Sequence, residues 1–464
     1  MSTDPLLSDA LDHSRRFLAS LRERPVAPQA TAARLRAVFD RPLSEGGEDP
    51  REVLRTLAVE GDAGLMATAG PRFFGFVIGG TQPVALAADW LTSTWDQNPG
   101  LYATSPLTAV LEETAGRWLC ELLGLPVTSG VGFVTGTQVA NLVGLACARH
   151  ALLERAGWDV EKKGLVGAPG FPIVVGGEVH VTVTRALRFL GLGAETPARV
   201  AVDAQGRMRP DALRETLARL GRPALVCAQA GNVNTGAIDP LVPIADAARA
   251  NGGWFHVDGA FGLFARAAPS RRALAEGMER ADSWAVDMHK WLNVPYDAGV
   301  AIVREPSVLR AAMGTEAAYL VTSSEQRDAV NFVPEFSRRA RGIPTYATLR
   351  TLGRQGVADL VERCCAHARR MAERLAAAPG VRVLNEVVLN QVLVRFEPPG
   401  GGDADAFTRD VVGRVQADGT CWLGGTVWQG RAAMRVSVSG WNTTEADIDR
   451  SAEAILRCAA AASR

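Results

Sequence analysis

A lysine set between a histidine and a tryptophan, just after an apolar run, is the residue of this chain whose surroundings most invite chemistry. It is Lys290, in Ser283-Trp-Ala-Val-Asp-Met-His-Lys-Trp-Leu-Asn-Val-Pro-Tyr-Asp297. An ammonium prefers water, and apolar flanks desolvate it, which lowers its pKa. The neutral amine so favoured is the form that attacks an aldehyde. A lysine that snorkels from a sheet edge has the same local sequence, so the setting alone leaves both readings open.

Three further segments supply groups that such chemistry needs. Trp254-Phe-His-Val-Asp-Gly-Ala-Phe-Gly262 reads as a strand that ends in Asp258, at the carboxyl end where α/β sheets place ligands. In an enzyme that uses pyridoxal 5′-phosphate (PLP), a carboxylate there pairs with the pyridine nitrogen and keeps the ring able to accept electrons. Such a charge pair at about 4 Å is worth roughly 4 kcal/mol at an effective dielectric near 20, enough to fix a protonation state. Asp258 as a simple helix N-cap is the competing reading. Gly259 and Ala260 are small enough to let a flat ring lie against the backbone. Gly132-Phe-Val-Thr-Gly-Thr-Gln-Val-Ala-Asn-Leu142 is a Gly/Thr turn that opens a helix, suited to a phosphate. It matches neither the nucleotide P-loop nor a GxGxxG fingerprint. His180 follows a strand and enters a helix, where it could stack on a ring or simply fill the core. With His256 and His289 it shows no metal-ligand spacing, so no metal is expected.

The elements that must position these groups are legible as alternating runs. Ile173–Val175, Leu225–Cys227, Trp254–Val257, Trp284–Val286 and Val300–Val303 are short and β-rich, with helical stretches between them. That alternation predicts a large, mostly parallel sheet covered by helices. Val139, Leu142, Val143 and Ala146, and likewise Val183, Ala186, Leu187 and Leu190, give two helices one buried stripe each. Beyond about residue 340 a long helical stretch precedes strand-like Val392–Val394 and Met434–Val438. A closing helix follows, with Thr444 and Asp447 in capping-box spacing. The expected division is an N-terminal helical segment, 1–68, a large domain, 69–340, and a smaller α+β domain, 341–464.

Composition narrows the partners. The 464 residues carry 50 Lys plus Arg against 50 Asp plus Glu and are 47% hydrophobic, which removes the basic footprint of a nucleic-acid or anionic-membrane binder. No apolar run reaches the roughly 20 residues of a membrane span. Seven cysteines without CxxC pairs read as reduced thiols. The polar start, Met1-Ser-Thr-Asp-Pro5, shows no secretory signal. A cytoplasmic protein with a small-molecule substrate is expected.

Taken together, the residues resemble the group II amino-acid decarboxylases, which are fold-type I PLP enzymes. Pro71-Arg-Phe-Phe-Gly-Phe76, Ser105-Pro106 with Leu111-Glu112, the phosphate turn, His180 with Leu190-Gly-Leu-Gly193, Asp258-Gly-Ala260 and His289-Lys290-Trp291 stand in that family's order. The likeness runs from about residue 70 to about 350 and continues more weakly to the C-terminus. It implies that Lys290 holds PLP as a Schiff base, Asp258 binds the pyridine nitrogen, and His180 and Ala260 press its two faces. Thr137, Gln138 and His289 would serve the phosphate, Asn232 would lie near the cofactor, and Tyr102 near the substrate. It also implies a homodimer.

Two positions depart from the resembled pattern. Gln138 stands where a serine is common in the phosphate turn. Asp328 occupies the place of the loop tyrosine that protonates the carbanion in aromatic-type decarboxylases, and an ionised aspartate is a poor acid. His180 is then the leading proton donor, followed by Tyr319 or a residue of a neighbouring subunit. Arg435 is a candidate clamp for a substrate carboxylate, or a structural ion-pair partner. The expected reaction is α-decarboxylation of an L-amino acid to an amine and CO2. Transamination, aldehyde synthesis and aldol-type cleavage are open to the same cofactor site, and a PLP-fold regulator without activity is the remaining alternative.

Overall fold

The computed structural model describes residues 4–315 and 326–463, in two compact units. One unit comprises residues 80–369 and 385–392. Its sheet has seven strands: β1 Gly130–Val134, β2 Ile173–Gly176, β3 Ala198–Val200, β4 Leu225–Gln229, β5 Trp254–Asp258, β6 Ser283–Asp287 and β7 Gly299–Val303. The order is β1-β7-β6-β5-β4-β2-β3. From β3 to β6 neighbours run parallel, and β7 lies antiparallel to both β6 and β1. Every residue of β5, β6 and β7 is buried, as expected of strands covered on both faces, which read as unbroken apolar runs. The mixed α/β architecture with its mostly parallel sheet is the one the alternating runs predict.

The helices pack as their stripes require. Thr137–Arg155 buries Val143 and Ala146, with Val139 and Leu142 partly covered against the same cluster. Val181–Phe189 buries Val183, Ala186 and Leu187. Its N-cap is His180, whose ring accepts the Thr182 N–H.

The other unit comprises residues 4–79, 370–384 and 393–463. It holds the antiparallel sheet β10-β11-β9-β8, formed by β8 Val381–Val383, β9 Gln391–Phe396, β10 Gly424–Trp428 and β11 Arg431–Ser437. The closing helix Glu445–Ala462 carries the Thr444–Asp447 capping box and buries Ile448, Ala452 and Ile455.

This grouping does not coincide with boundaries at 68 and 340. The N-terminal residues share a core with C-terminal ones: Leu21, Val26, Ala67, Phe73 and Ile78 cluster with Trp422, which stacks on Phe73 at 5.2 Å. The Phe74 N–H donates to Trp422 O and the Ser437 N–H to Phe74 O. A segment with little core of its own is completed by a parallel bridge between Phe73 and Trp422 and the packing around it, which no local pattern reveals.

Candidate active site

The site forms where parallel strands end. Asp258 closes β5 and Asp287 closes the neighbouring β6, two residues beyond Ala285, the register partner of Asp258, at the carboxyl edge of the sheet. Both are buried, at 4% and 2% exposure, in a position where an unpartnered carboxylate would be costly. Asp258 Oδ1 accepts the Ala260 N–H at 3.2 Å, and Oδ2 accepts Asn141 Nδ2 at 3.1 Å.

Asp287 gathers a second set of groups. Its Oδ1 accepts the Thr137 N–H at 2.6 Å, and its Oδ2 lies 3.0 Å from Lys290 Nζ. His289 Nε2 is 3.4 Å from Oδ1. His289 Nδ1 accepts the Ala298 N–H at 3.1 Å, which leaves the proton of a neutral ring on Nε2, toward the carboxylate. Burial pushes the His289 pKa down, although Asp287 opposes it. Gly136 is required at the turn, since a Cβ there would lie 2.9 Å from His289 Cε1 and 3.2 Å from Asp287 Oδ1.

Gln138 Nε2 donates to Thr182 O at 3.2 Å, which ties the phosphate turn to the helix that His180 caps. His180 Nδ1 lies 2.8 Å from Thr182 Oγ1, and Thr182 Oγ1 in turn accepts Asn141 Nδ2 at 3.2 Å. Thr137, His289 and Lys290 thus meet on Asp287, while Gln138, His180 and Asp258 are joined through Thr182 and Asn141.

The remaining expected residues have other local duties. Asn232 Oδ1 accepts the N–H groups of Asn234 and Thr235, so its oxygen is spent on its own turn. Tyr102 donates its backbone N–H to Asp328 Oδ1 at 2.8 Å. Asp328 is 3% exposed, a buried anchor for that segment. Arg435 belongs to the other unit, in β11, where burial lowers its pKa. Tyr319 lies outside the described residues.

Asp287 and Asn141 went unassigned in the sequence. The signals were present: Asp287 ends a strand as Asp258 does, and Asn141 stands four residues after Thr137, on the same helix face.

Whether these residues suit PLP can be tested on the donor set. Thr137 Oγ1 is buried at the start of its helix and has no hydrogen-bond partner, an arrangement that calls for an acceptor such as a phosphate oxygen. A primary amine for an aldehyde, a buried carboxylate for a basic ring nitrogen and a helix N-terminus for a phosphate stand within one strand edge. The residues fit the group.

Comparison with known proteins agrees. The family model described as "Pyridoxal-dependent decarboxylase conserved domain" matches residues 35–397. The chain is 27% identical over 452 residues to an aromatic-L-amino-acid decarboxylase of Bacillus atrophaeus, covering 95% of this chain and 90% of the relative. It is 31% identical over 383 residues to an L-2,4-diaminobutyrate decarboxylase of Rhizobium meliloti (strain 1021), covering 80% of this chain and 74% of that one. Among solved structures, Oryza sativa TDC with PLP and tryptamine superposes with a TM-score of 0.92 at 24% identity, covering 100% of this chain and 99% of the other. Mouse CSAD superposes with a TM-score of 0.90 at 25% identity, with 98% of each chain covered.

Proposed function

The chain belongs to the pyridoxal-dependent decarboxylase family, and from that premise we propose that it removes the α-carboxylate of an L-amino acid as CO2 and releases the amine, with Lys290 as the residue that holds PLP. The observation that carries the assignment of Lys290 is the shared carboxylate of Asp287. It receives both Lys290 Nζ and the Thr137 N–H, so the amine stands beside the helix start that suits a phosphate.

Bound PLP supplies an electrophilic aldehyde and a ring that takes up the electron pair left when CO2 departs. The protein's own groups do the rest. Asp258, whose carboxylate Asn141 and Ala260 hold, would pair with a pyridine nitrogen and keep it protonated. The small Ala260 and the His180 ring would be the groups to cover the ring's two faces. Thr137, Gln138 and His289 serve the phosphate, Thr137 through its free hydroxyl. Asn232 shapes the turn at the cofactor's edge. His180 delivers the proton that replaces CO2 at the α-carbon, a task for which the buried, hydrogen-bonded Asp328 is unsuited. Tyr102 lies on the substrate side, its segment fixed by Asp328. Arg435 is partly buried in the other unit, where burial lowers its pKa.

The enzyme is read as a cytoplasmic homodimer. Leu7, Leu11 and Leu18 of the helix Asp4–Ser20, with Val53, Leu57 and Val59 of Pro50–Glu60, stand exposed, and a second copy would cover such apolar rows. All seven cysteines are buried and none is in a disulfide, consistent with a reducing compartment. Among the described residues no helix is long and apolar enough to cross a membrane.

A screen of L-amino acids with CO2, amine, keto acid and aldehyde all measured tests the reaction. Stoichiometric CO2 and amine from one substrate is the expected result. Keto acid with pyridoxamine phosphate as the only products would overturn it. Light scattering of the active enzyme tests the dimer, and an active monomer would refute it.

A further inference from the structure

Behind Asp258 lies a run of buried polar groups whose hydrogen-bond directions can all be assigned. Asn141, His256 and Ser283 are each fully buried. A carboxylate facing them can only accept, so the amide nitrogen of Asn141 is the atom toward Asp258 Oδ2, at 3.1 Å. Asn141 Oδ1 then faces His256 Nε2 at 2.9 Å, which requires a proton on that nitrogen. Burial lowers the His256 pKa to about 3, so the ring is neutral and its Nδ1 is bare. Nδ1 accepts from the Ser283 hydroxyl at 2.8 Å, and Ser283 Oγ accepts the Trp254 indole N–H at 2.9 Å. Every donor in the series Trp254, Ser283, His256, Asn141 points toward Asp258.

The second amide hydrogen of Asn141 extends the logic to His180. It reaches Thr182 Oγ1 at 3.2 Å. With that oxygen accepting, the Thr182 proton is directed to His180 Nδ1 at 2.8 Å, where the Thr182 backbone N–H also arrives at 3.3 Å. A neutral His180 therefore carries its proton on Nε2. Gly144 permits the packing: a Cβ there would lie 2.8 Å from His256 Cε1 and Nδ1.

We propose that Asn141 is a positioning residue that fixes the plane of the Asp258 carboxylate and the tautomer of His180 together, with its own amide orientation set by the Trp254–Ser283–His256 series. A flipped amide would aim its carbonyl at a carboxylate and its NH2 at an N–H, losing both bonds. The proposal rests on the reading that Asp258 and His180 face PLP, but its first half is a property of the protein alone. Beside Asp258, His256 and His180, the network borders Cys227, whose thiol burial pushes up, with the Asp258 charge adding to it.

The first test uses cofactor-free protein with 15N-labelled histidine. His256 and His180 should both show the Nε2–H tautomer, and His256 should not titrate between about pH 5 and 8. In Asn141→Leu, close in size and without polarity, the Nε2–H signature of His180 should be lost, while His256, whose Nδ1 still receives the Ser283 hydroxyl, should keep its own. A wild-type His256 that carries its proton on Nδ1, or that titrates in that range, overturns the proposal by itself.

The second test uses holoenzyme with PLP labelled at the ring nitrogen. Asn141→Leu should retain PLP about tenfold less tightly, and its ring 15N resonance should move toward that of neutral pyridine. Asn141→Asp keeps the shape and donates only when protonated, so its resonance should depend on pH where the wild type's does not. A variant series in which Asp258→Ala moves the resonance and neither Asn141 variant does would overturn the role of Asn141. If Asp258→Ala leaves the resonance in place, the cofactor half falls together with the reading it rests on.

Discussion

Lys290 and Asp287 form an ion pair three residues apart, Nζ to Oδ2 at 3.0 Å, with the carboxylate side chain 3% exposed and the lysine 19%. The strand β6 ends at Asp287 and the chain turns back at once, so the amine is carried to the acid that closes its own strand. Burial works to raise the Asp287 carboxyl. The Lys290 and His289 charges, with hydrogen bonds from the Thr137 backbone N–H and from Lys290, outweigh it and hold the group below its usual value.

The sign of the pH effect follows. An unfolded aspartate titrates near about 3.9 and the folded one lower, so the stabilisation is whole above about pH 4 and is lost as pH falls through the folded value. Asp287→Asn should destabilise cofactor-free protein at neutral pH by ~1–3 kcal/mol and flatten the acid limb below about pH 4. Urea unfolding across pH measures both, and an unchanged acid limb would refute the assignment.

Lys290 itself gives the most direct check on the site. Borohydride treatment of the holoenzyme followed by peptide mapping should place reduced cofactor on Lys290, and Lys290→Ala should bind PLP without the covalent link and lose nearly all turnover. An adduct on Lys162 or Lys163 would end the reading.

Asp328 offers a contrast between structure and chemistry. Because it is buried and holds the Tyr102 N–H, Asp328→Ala should cost ~1–3 kcal/mol of stability by leaving that donor unmet, and should raise KM more than it lowers kcat. The ratio of amine to CO2 should stay at one. An altered product ratio would instead make Asp328 part of the proton delivery.

A second ion pair, Glu112 with Arg338, is bidentate at 2.7 and 2.8 Å, with both side chains 1% exposed. Removing one partner strands a charge, so Glu112→Ala should lose ~3–5 kcal/mol of stability. The double variant Glu112→Leu with Arg338→Met should lose less than the single one. Equal or greater loss in the double would mean that the pair matters by shape alone.

His256 makes a fourth stability prediction. Unfolded it takes a proton near about pH 6.5, and folded only near about 3. Stability should therefore be whole above pH ~6.5 and fall by up to ~1.4 kcal/mol per pH unit below it. His256→Gln should remove that slope from cofactor-free protein, as read by denaturant unfolding at several pH values.

How far the sequence reached depends on the range of the interaction. Apolar runs and stripes are local, so β2, β4, β5, β6 and β7 and the helices after the phosphate turn and His180 were readable. Lys290, Asp258 and His180 stand as candidates by type and by their place after strands. β3, with an exposed Arg199 at its centre, lacked the pattern, and β1 is a glycine-bearing strand that reads as the turn it leads into. Asn141 was hidden because its partners, Thr182, His256 and Asp258, come from three later segments. Asn232 resembled a cofactor residue by position, yet its oxygen closes a turn with Asn234 and Thr235, a use invisible without backbone geometry.

The placement of β7 between β1 and β6 bears on the order of events at the ribosome. β1 has one strand neighbour, and Gly130 pairs with Val303. The helix Thr137–Arg155 follows β1, so the segment that brings Thr137 and Asn141 to the site leaves the exit tunnel long before the strand that anchors it. At about 5–20 residues per second that wait is roughly 10–35 s. During it, the nascent chain exposes an amphipathic helix and an unpaired strand, and the cofactor has nothing assembled to bind. Strand order therefore places cofactor capture after residue 303 has emerged.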